Sequence, residues 1–286
     1  MLMQSPSPFT HRTSLGHALS DESWLDAHST ACEAEYRQFV TRSGFAPGWT
    51  VLDAGSGSGG FVPFLAEAVG PRGSIICIDV APENCRLSAT RLNGSVAGAA
   101  VASLDDLPFP AASFDAAWCA NTTQYLTDER LLDALEELRR VVRPGGRVAV
   151  KDMDMTAFRA SPADPFLFSH LAEACLLAPD APPESAGSLR GRDLRRRLEQ
   201  AGFVDVRQQS AFIERWAPLR AVERQLWSGW LSYLAGLAAT RDVPARDLAA
   251  WREIARDDGV PFVSRPDFYG CEAQVLAVGA VPEVAA

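Results

Sequence analysis

The sequence predicts an α/β chain: a doubly wound, mostly parallel seven-stranded sheet with helices on both faces, plus helical lid insertions. Three observations predict it. Short apolar runs alternate with segments of helical periodicity from about residue 49 to residue 151, and that alternation implies right-handed crossovers. The run Ser74–Val80 (SIICIDV) stays apolar until its closing acid, as suits a strand buried on both faces of a parallel sheet. A glycine loop, Gly55-Ser56-Gly57-Ser58-Gly59-Gly60, links the first run directly to the next helical segment.

The elements follow in order. Trp24, Leu25, His28, Cys32, Tyr36, Phe39 and Val40 recur at three- and four-residue spacing and predict one helix over 21–43. Ser43-Gly44 and Pro47-Gly48 end it. Strands are predicted over 49–54, 74–80, 96–102 and 114–120, with helices over 61–69 and 82–92. Residues 128–142 form an amphipathic helix with Leu131, Leu132, Leu135, Leu138, Val141 and Val142 on one face. Pro144-Gly145-Gly146 turns the chain into a strand over 147–151. A helix over 193–201 and a strand over 203–208 come next, then helical patterns near 219–239 and 245–256, and a last strand over 272–279. Residues 1–20 read as a flexible tail without a signal-peptide core. Residues 21–286 read as one domain with helical insertions at about 157–190 and 214–268.

The chain has 286 residues, 47% hydrophobic and 22% charged, with a formal charge of −9. An acidic chain is a poor general binder of phosphate backbones, so no nucleic-acid partner is expected. Cys32, Cys77, Cys85, Cys119, Cys175 and Cys271 are scattered without metal-ligand spacing, which reads as reduced core cysteines of a cytoplasmic protein with no metal. No apolar run reaches the length of a membrane span.

The glycine loop bears on function. Glycines admit a ligand close to the backbone, and a helix start supplies N–H groups. Gly55-x-Gly57-x-x-Gly60 also fits a dinucleotide fingerprint. However, Asp53, two residues before the first glycine, would repel a pyrophosphate and attract a cation. Asp79 closes the second strand about 20 residues past the loop, a position suited to accepting two ribose hydroxyls.

The stretch VLDAGSGSGG resembles the first motif of the class I, Rossmann-like S-adenosylmethionine (SAM)-dependent methyltransferases. Ser103–Phe109 with Ser113-Phe114-Asp115 resembles the family's adenine segment, except that Ser103 stands where the family usually has Asp. Ser103 or Asp105 would replace that contact. Ala120–Leu126 and Leu138–Gly146 follow in the family's order. The similarity spans about residues 36–155, with a weaker echo at Gly202–Val206 and the final strand. The resemblance implies SAM as cofactor, held by Asp53, Gly55, Ser56, Gly57, Asp79, Val80, Ser103, Leu104, Asp105 and Asn121. With the acidic charge and the apolar insertions, it implies methyl transfer to a small, hydrophobic or aromatic acceptor. The alternatives are a non-catalytic SAM-binding regulator on the same fold and, third, an NAD-dependent oxidoreductase.

Methyl transfer chiefly needs alignment and exclusion of water, with a base only where the acceptor must lose a proton. Asp152 and Asp154 leave the fifth strand at the ligand-binding end and are the candidate catalytic residues, either as base or as turn caps. His28 and His170 read as packed or surface histidines, and Arg190, Arg192, Arg195, Arg196 and Arg197 as a solvated charge run. Trp216, Trp227, Trp230, Tyr233 and Trp251 divide between core packing and a helical lid.

Overall fold

Residues 22–91, 96–181 and 183–283 are described by a computed structural model of the chain. The expected tail over 1–20, with His11 and His17, lies outside them. The elements run α1 (Glu22–Ala31), α2 (Glu33–Ser43), β1 (Thr50–Ala54), α3 (Val62–Val69), β2 (Ser74–Asp79), α4 (Pro82–Arg91), β3 (Val96–Val101), β4 (Phe114–Ala120), α5 (Asp128–Val141) and β5 (Val142–Ser161). They continue α6 (Leu167–Leu176), α7 (Leu194–Gln200), β6 (Val204–Trp216), α8 (Ala221–Ala238), α9 (Ala245–Ile254), α10 (Val260–Val263) and β7 (Tyr269–Ala280).

Local chemistry sets several boundaries. The Thr127 hydroxyl accepts the Arg130 N–H and caps α5, whose first turn holds Asp128 and Glu129 and whose last holds Arg139 and Arg140. Both charge placements favour the helix dipole. Gly44, at φ 72°, ends α2 in the left-handed conformation that glycine adopts without strain. The single helix expected over 21–43 is two, because Cys32 leaves helical geometry at φ −110°, ψ 17°.

The seven strands lie in the order β3-β2-β1-β4-β5-β7-β6. The first five pair in parallel, while β7 is antiparallel to both β5 and β6. The expectation of a mostly parallel sheet therefore holds for the β3-to-β5 part, and the β7–β6 edge makes the whole sheet mixed. The cause is the position of α8, α9 and α10. They follow β6 where it emerges at the carboxyl edge, so β7 returns from that edge in the opposite sense.

Two strands outrun their expected lengths. β5 continues to Ser161, paired with Tyr269–Cys271, and β6 continues to Trp216. The first residues assigned to helical insertions, from 157 and from 214, are thus strand.

Apolar residues form a core on each face. One contains Tyr36 and Phe39 of α2, Leu65 of α3, Ala149 and Met153 of β5, and the helices that follow β5 and β6. The other contains Leu131, Leu135 and Leu138 of α5, Leu194 and Leu198 of α7, and Val148 and Val150 of β5. Side chains of a strand alternate between faces, so Lys151 faces the first core and Asp152 the second.

Candidate active site

The glycine loop leaves the carboxyl end of β1 and is braced from below. The N–H groups of Gly55 and Ser56 both donate to the Ile78 carbonyl, at 2.8 and 2.9 Å. Gly57 N–H donates to Asp79 Oδ2 at 2.9 Å. Asp79 Oδ1 accepts from Ala81 N–H at 2.9 Å and from Asn84 Nδ2 at 3.0 Å. The Ser56 hydroxyl lies 3.1 Å from that of Ser88, which donates to the Gly57 carbonyl. Gly55 (φ 77°) and Gly57 (φ 53°) lie in the left-handed region, and a Cβ on Gly55 would run into the Thr122 side chain. The loop needs glycine there for both reasons.

Asp53 and Asp79 bracket this loop. Asp53 is buried, and its Oδ2 has no hydrogen-bond partner among the described residues. Burial, with the repulsion of Asp79 added, pushes the Asp53 carboxyl up to about 8. A buried carboxyl kept from ionising beside a second carboxylate is a place where a cationic ligand is stabilising. The residues present therefore fit the ammonium and sulfonium groups of SAM and oppose a pyrophosphate.

The segment from Ser103 to Asp105, expected to flank adenine, is internally tied. Ser103 Oγ donates to Asp105 Oδ1, and Arg130 pairs with Asp105 Oδ2 at 2.8 Å. The hydrogen bond from Ser103, with Arg130 beside it, holds the Asp105 carboxyl below the usual range. Leu104 is buried between them in sequence.

Asn121 follows β4 at φ 55°, a conformation asparagine tolerates better than most residues. Its N–H donates to the Lys151 carbonyl at 2.7 Å, and its side-chain Oδ1 accepts from Lys151 Nζ at 2.6 Å. The next residues are held from the other face. Thr123 Oγ1 donates to Asp152 Oδ2, and Arg190 donates to the Thr123 and Leu126 carbonyls at 2.7 and 2.9 Å. Burial raises the Asp152 carboxyl above its ordinary value against the bond from Thr123. Asp154 Oδ1 accepts both the N–H and the hydroxyl of Thr156, at 3.0 and 2.6 Å, the bonding of a turn cap. Arg190 belongs to this brace, with its guanidinium 2.7 Å from Asp128, and not to a solvated charge run.

On the first core's face lies a buried polar chain that sequence spacing did not bring together. Lys151 Nζ sits 4.3 Å from the centre of the Tyr36 ring and 6.0 Å from that of Phe61. Burial lowers its pKa from the ordinary lysine value, opposed by the charge of Glu272. The Tyr36 hydroxyl is 3.2 Å from the His28 ring nitrogens, and Asn121 Nδ2 donates to it at 3.4 Å. Glu272 Oε1 is 3.4 Å from both His28 Nε2 and Cys32 Sγ. Their ligand atoms all lie within 4.8 Å of one another, a spacing a metal ion could bridge, but the Glu272 oxygen already takes both groups. Burial, then Glu272, raises the Cys32 thiol well above its usual value. His170 is 2.7 Å from Asp247, tying α6 to α9.

A glycine loop between two carboxyls, at the carboxyl edge of a sheet in this order, defines a Rossmann-like fold built to hold a cationic nucleoside. Residues 51–146 match the family model for a methyltransferase domain. The ubiquinone/menaquinone biosynthesis C-methyltransferase UbiE of Ralstonia pickettii is 29% identical over 187 residues, covering 58% of this chain and 72% of that protein. Among solved structures, the YcgJ protein of Bacillus subtilis superposes at a TM-score of 0.53 with 15% identity, over 88% of this chain and 100% of that one. Phosphoethanolamine N-methyltransferase 2 of Haemonchus contortus, solved with S-adenosyl-L-methionine, superposes at 0.53 with 15% identity, over 87% and 53%. These matches support a class I SAM-dependent methyltransferase, with the methyltransferase domain over residues 51–146. The chain is an enzyme with SAM as its cofactor. Among the described residues no helix is long and apolar enough to cross a membrane.

Proposed function

We propose that the enzyme methylates a small, hydrophobic or aromatic metabolite at the carboxyl edge of the sheet. The observation that carries this reading is the aromatic wall beyond that edge. Phe158, on the extension of β5, lies 5.2 Å from Phe168, 5.1 Å from Trp227 and 5.6 Å from Trp230, centroid to centroid. These rings are buried in the core and keep water from the neighbouring edge, and in this reading they back the face that takes an apolar acceptor. The name of the Ralstonia relative, a quinone-pathway C-methyltransferase, fits a ring-bearing acceptor.

Bound SAM supplies an electrophilic methyl group. In this reading Asp53 balances the cofactor's positive charge, and Asp79 accepts the ribose hydroxyls. Gly55, Ser56 and Gly57 admit the cofactor close to the backbone, and Val80, Ser103, Leu104 and Asp105 flank the adenine. Asn121 closes the site at the end of β4. Asp152 and Asp154 act as positioning residues: one holds the loop after β4 through Thr123, the other caps the turn at Thr156.

The test is incubation with methyl-labelled SAM and a panel of phenols, amines and isoprenoids. Label transfer to apolar or aromatic members is expected. Transfer confined to strongly polar or macromolecular acceptors would overturn the reading.

A further inference from the structure

Lys151 is fully buried, and among the described residues no carboxylate pairs with it directly. An ammonium has three donors. Among the described residues Nζ spends one on Asn121 Oδ1 and rests against the face of Tyr36, which attracts a cation. Among the described residues Glu272 and Asp152 act on it only at longer range than an ion pair. Burying a charge without a partner is costly, so a ligand that brings the countercharge is stabilising.

The position fits the acceptor. Lys151 pairs with Ala120, the last residue of β4, so it stands level with the carboxyl edge. Phe61, 6.0 Å from Nζ, directly follows the glycine loop. Asn121, which takes the one hydrogen bond, is half-buried, so Nζ lies a single side chain below the edge. The same face carries Phe158, Trp227 and Trp230.

We propose that Lys151 binds the methyl acceptor, receiving an acidic hydroxyl or a carboxylate of it as the oxyanion at Nζ. The inference rests on the small apolar acceptor proposed above and adds its polar end. With a hydroxyl acceptor the O–H bond breaks and its electron pair stays on oxygen. The proton passes to Nζ where the amine is neutral, and to solvent where the acceptor binds already ionised. Tyr36, His28 and Glu272 are positioning residues: the chain Glu272–His28–Tyr36 holds the ring beneath Nζ, and the charge of Glu272 favours its protonated form.

The cofactor's own carboxylate has the same oxyanion chemistry, so the experiment separates the two sources. The enzyme with S-adenosylhomocysteine bound is titrated with 4-nitrophenol, at a pH where the free phenol is mostly the colourless acid, and with its neutral ether 4-nitroanisole. The expected result is a phenolate band on binding and affinity for the phenol at least about tenfold above that for the ether. Lys151→Met should lose both while binding S-adenosylhomocysteine within about threefold of wild type, and Lys151→Arg should keep part of the preference. Equal affinity for phenol and ether, no phenolate band, or no binding of 4-nitrophenol overturns the inference. A loss of about tenfold or more in S-adenosylhomocysteine affinity in Lys151→Met overturns it too, by assigning Nζ to the cofactor. If Lys151→Met does not fold, the wild-type comparison of phenol with ether decides alone. Label transfer to neutral aromatics with no phenol preference removes this inference and leaves the proposed function standing; transfer to no apolar acceptor removes the proposed function.

Discussion

Asp79 sets the glycine loop before any ligand arrives, through bonds to the N–H groups of Gly57 and Ala81 and to Asn84. Asp79→Ala should weaken S-adenosylhomocysteine binding by about 1–3 kcal/mol, the loss of charge-assisted bonds, in a chain that still folds. An unchanged calorimetric dissociation constant would place the ribose elsewhere. Asp152→Asn and Asp154→Asn should each keep turnover within about tenfold of wild type, roughly 1.4 kcal/mol of barrier. A loss of several hundredfold in Asp152→Asn with cofactor affinity intact would make Asp152 the base. Asp53, Gly57 and Asp79 were legible in the sequence because they belong to one contiguous strand–loop–helix–strand stretch. Lys151 and its neighbours were not, because His28 and Glu272 are 244 positions apart and meet only in the folded sheet.

The extension of β5 past its parallel partners joins the two halves of the site. Beyond Asp154 it pairs with β7 alone, and this places Phe158 against Trp227 and Trp230 of α8. Trp227 also packs so closely on Gly270 of β7 that a Cβ there would lie 2.6 Å from the indole. Trp227→Ala should therefore cost about 3–5 kcal/mol of stability, read as a lower melting temperature. A variant melting with the wild type would mean that α8 is not fastened to the sheet at this point. The helices of this region were legible from their periodicity. The strand extension was missed although Asp152-Met153-Asp154-Met155-Thr156 alternates polar and apolar residues, itself the period-two signal of a half-buried strand. Its strand state comes from pairing with a segment more than a hundred residues later. The antiparallel sense of β7 was hidden, since it depends on where α8, α9 and α10 stack.

Cofactor binding, protonation and stability of the whole molecule are linked through Asp53. Its carboxyl ionises near 3.8 in the unfolded chain and near 8 in the folded one, from burial first and Asp79 second. Below the unfolded value both states are protonated, and the group exerts no pH-dependent effect. Between the two values the unfolded chain has lost the proton and the folded one keeps it, so stability falls as pH rises from about 4 to about 8. A cationic ligand beside Asp53 reverses this by favouring the carboxylate. SAM binding near neutral pH should therefore release a proton, read as a binding enthalpy that varies with the ionisation enthalpy of the buffer. Saturation at about 100 times the dissociation constant adds roughly 2.7 kcal/mol, a rise of roughly 5 °C in melting temperature for a chain of this size. That rise should grow as pH climbs toward 8 in the wild type. In Asp53→Asn, which has no proton to lose, the pH dependence and the buffer dependence should both vanish. Buffer-independent enthalpies in the wild type would show that the cofactor's positive charge is not balanced at Asp53.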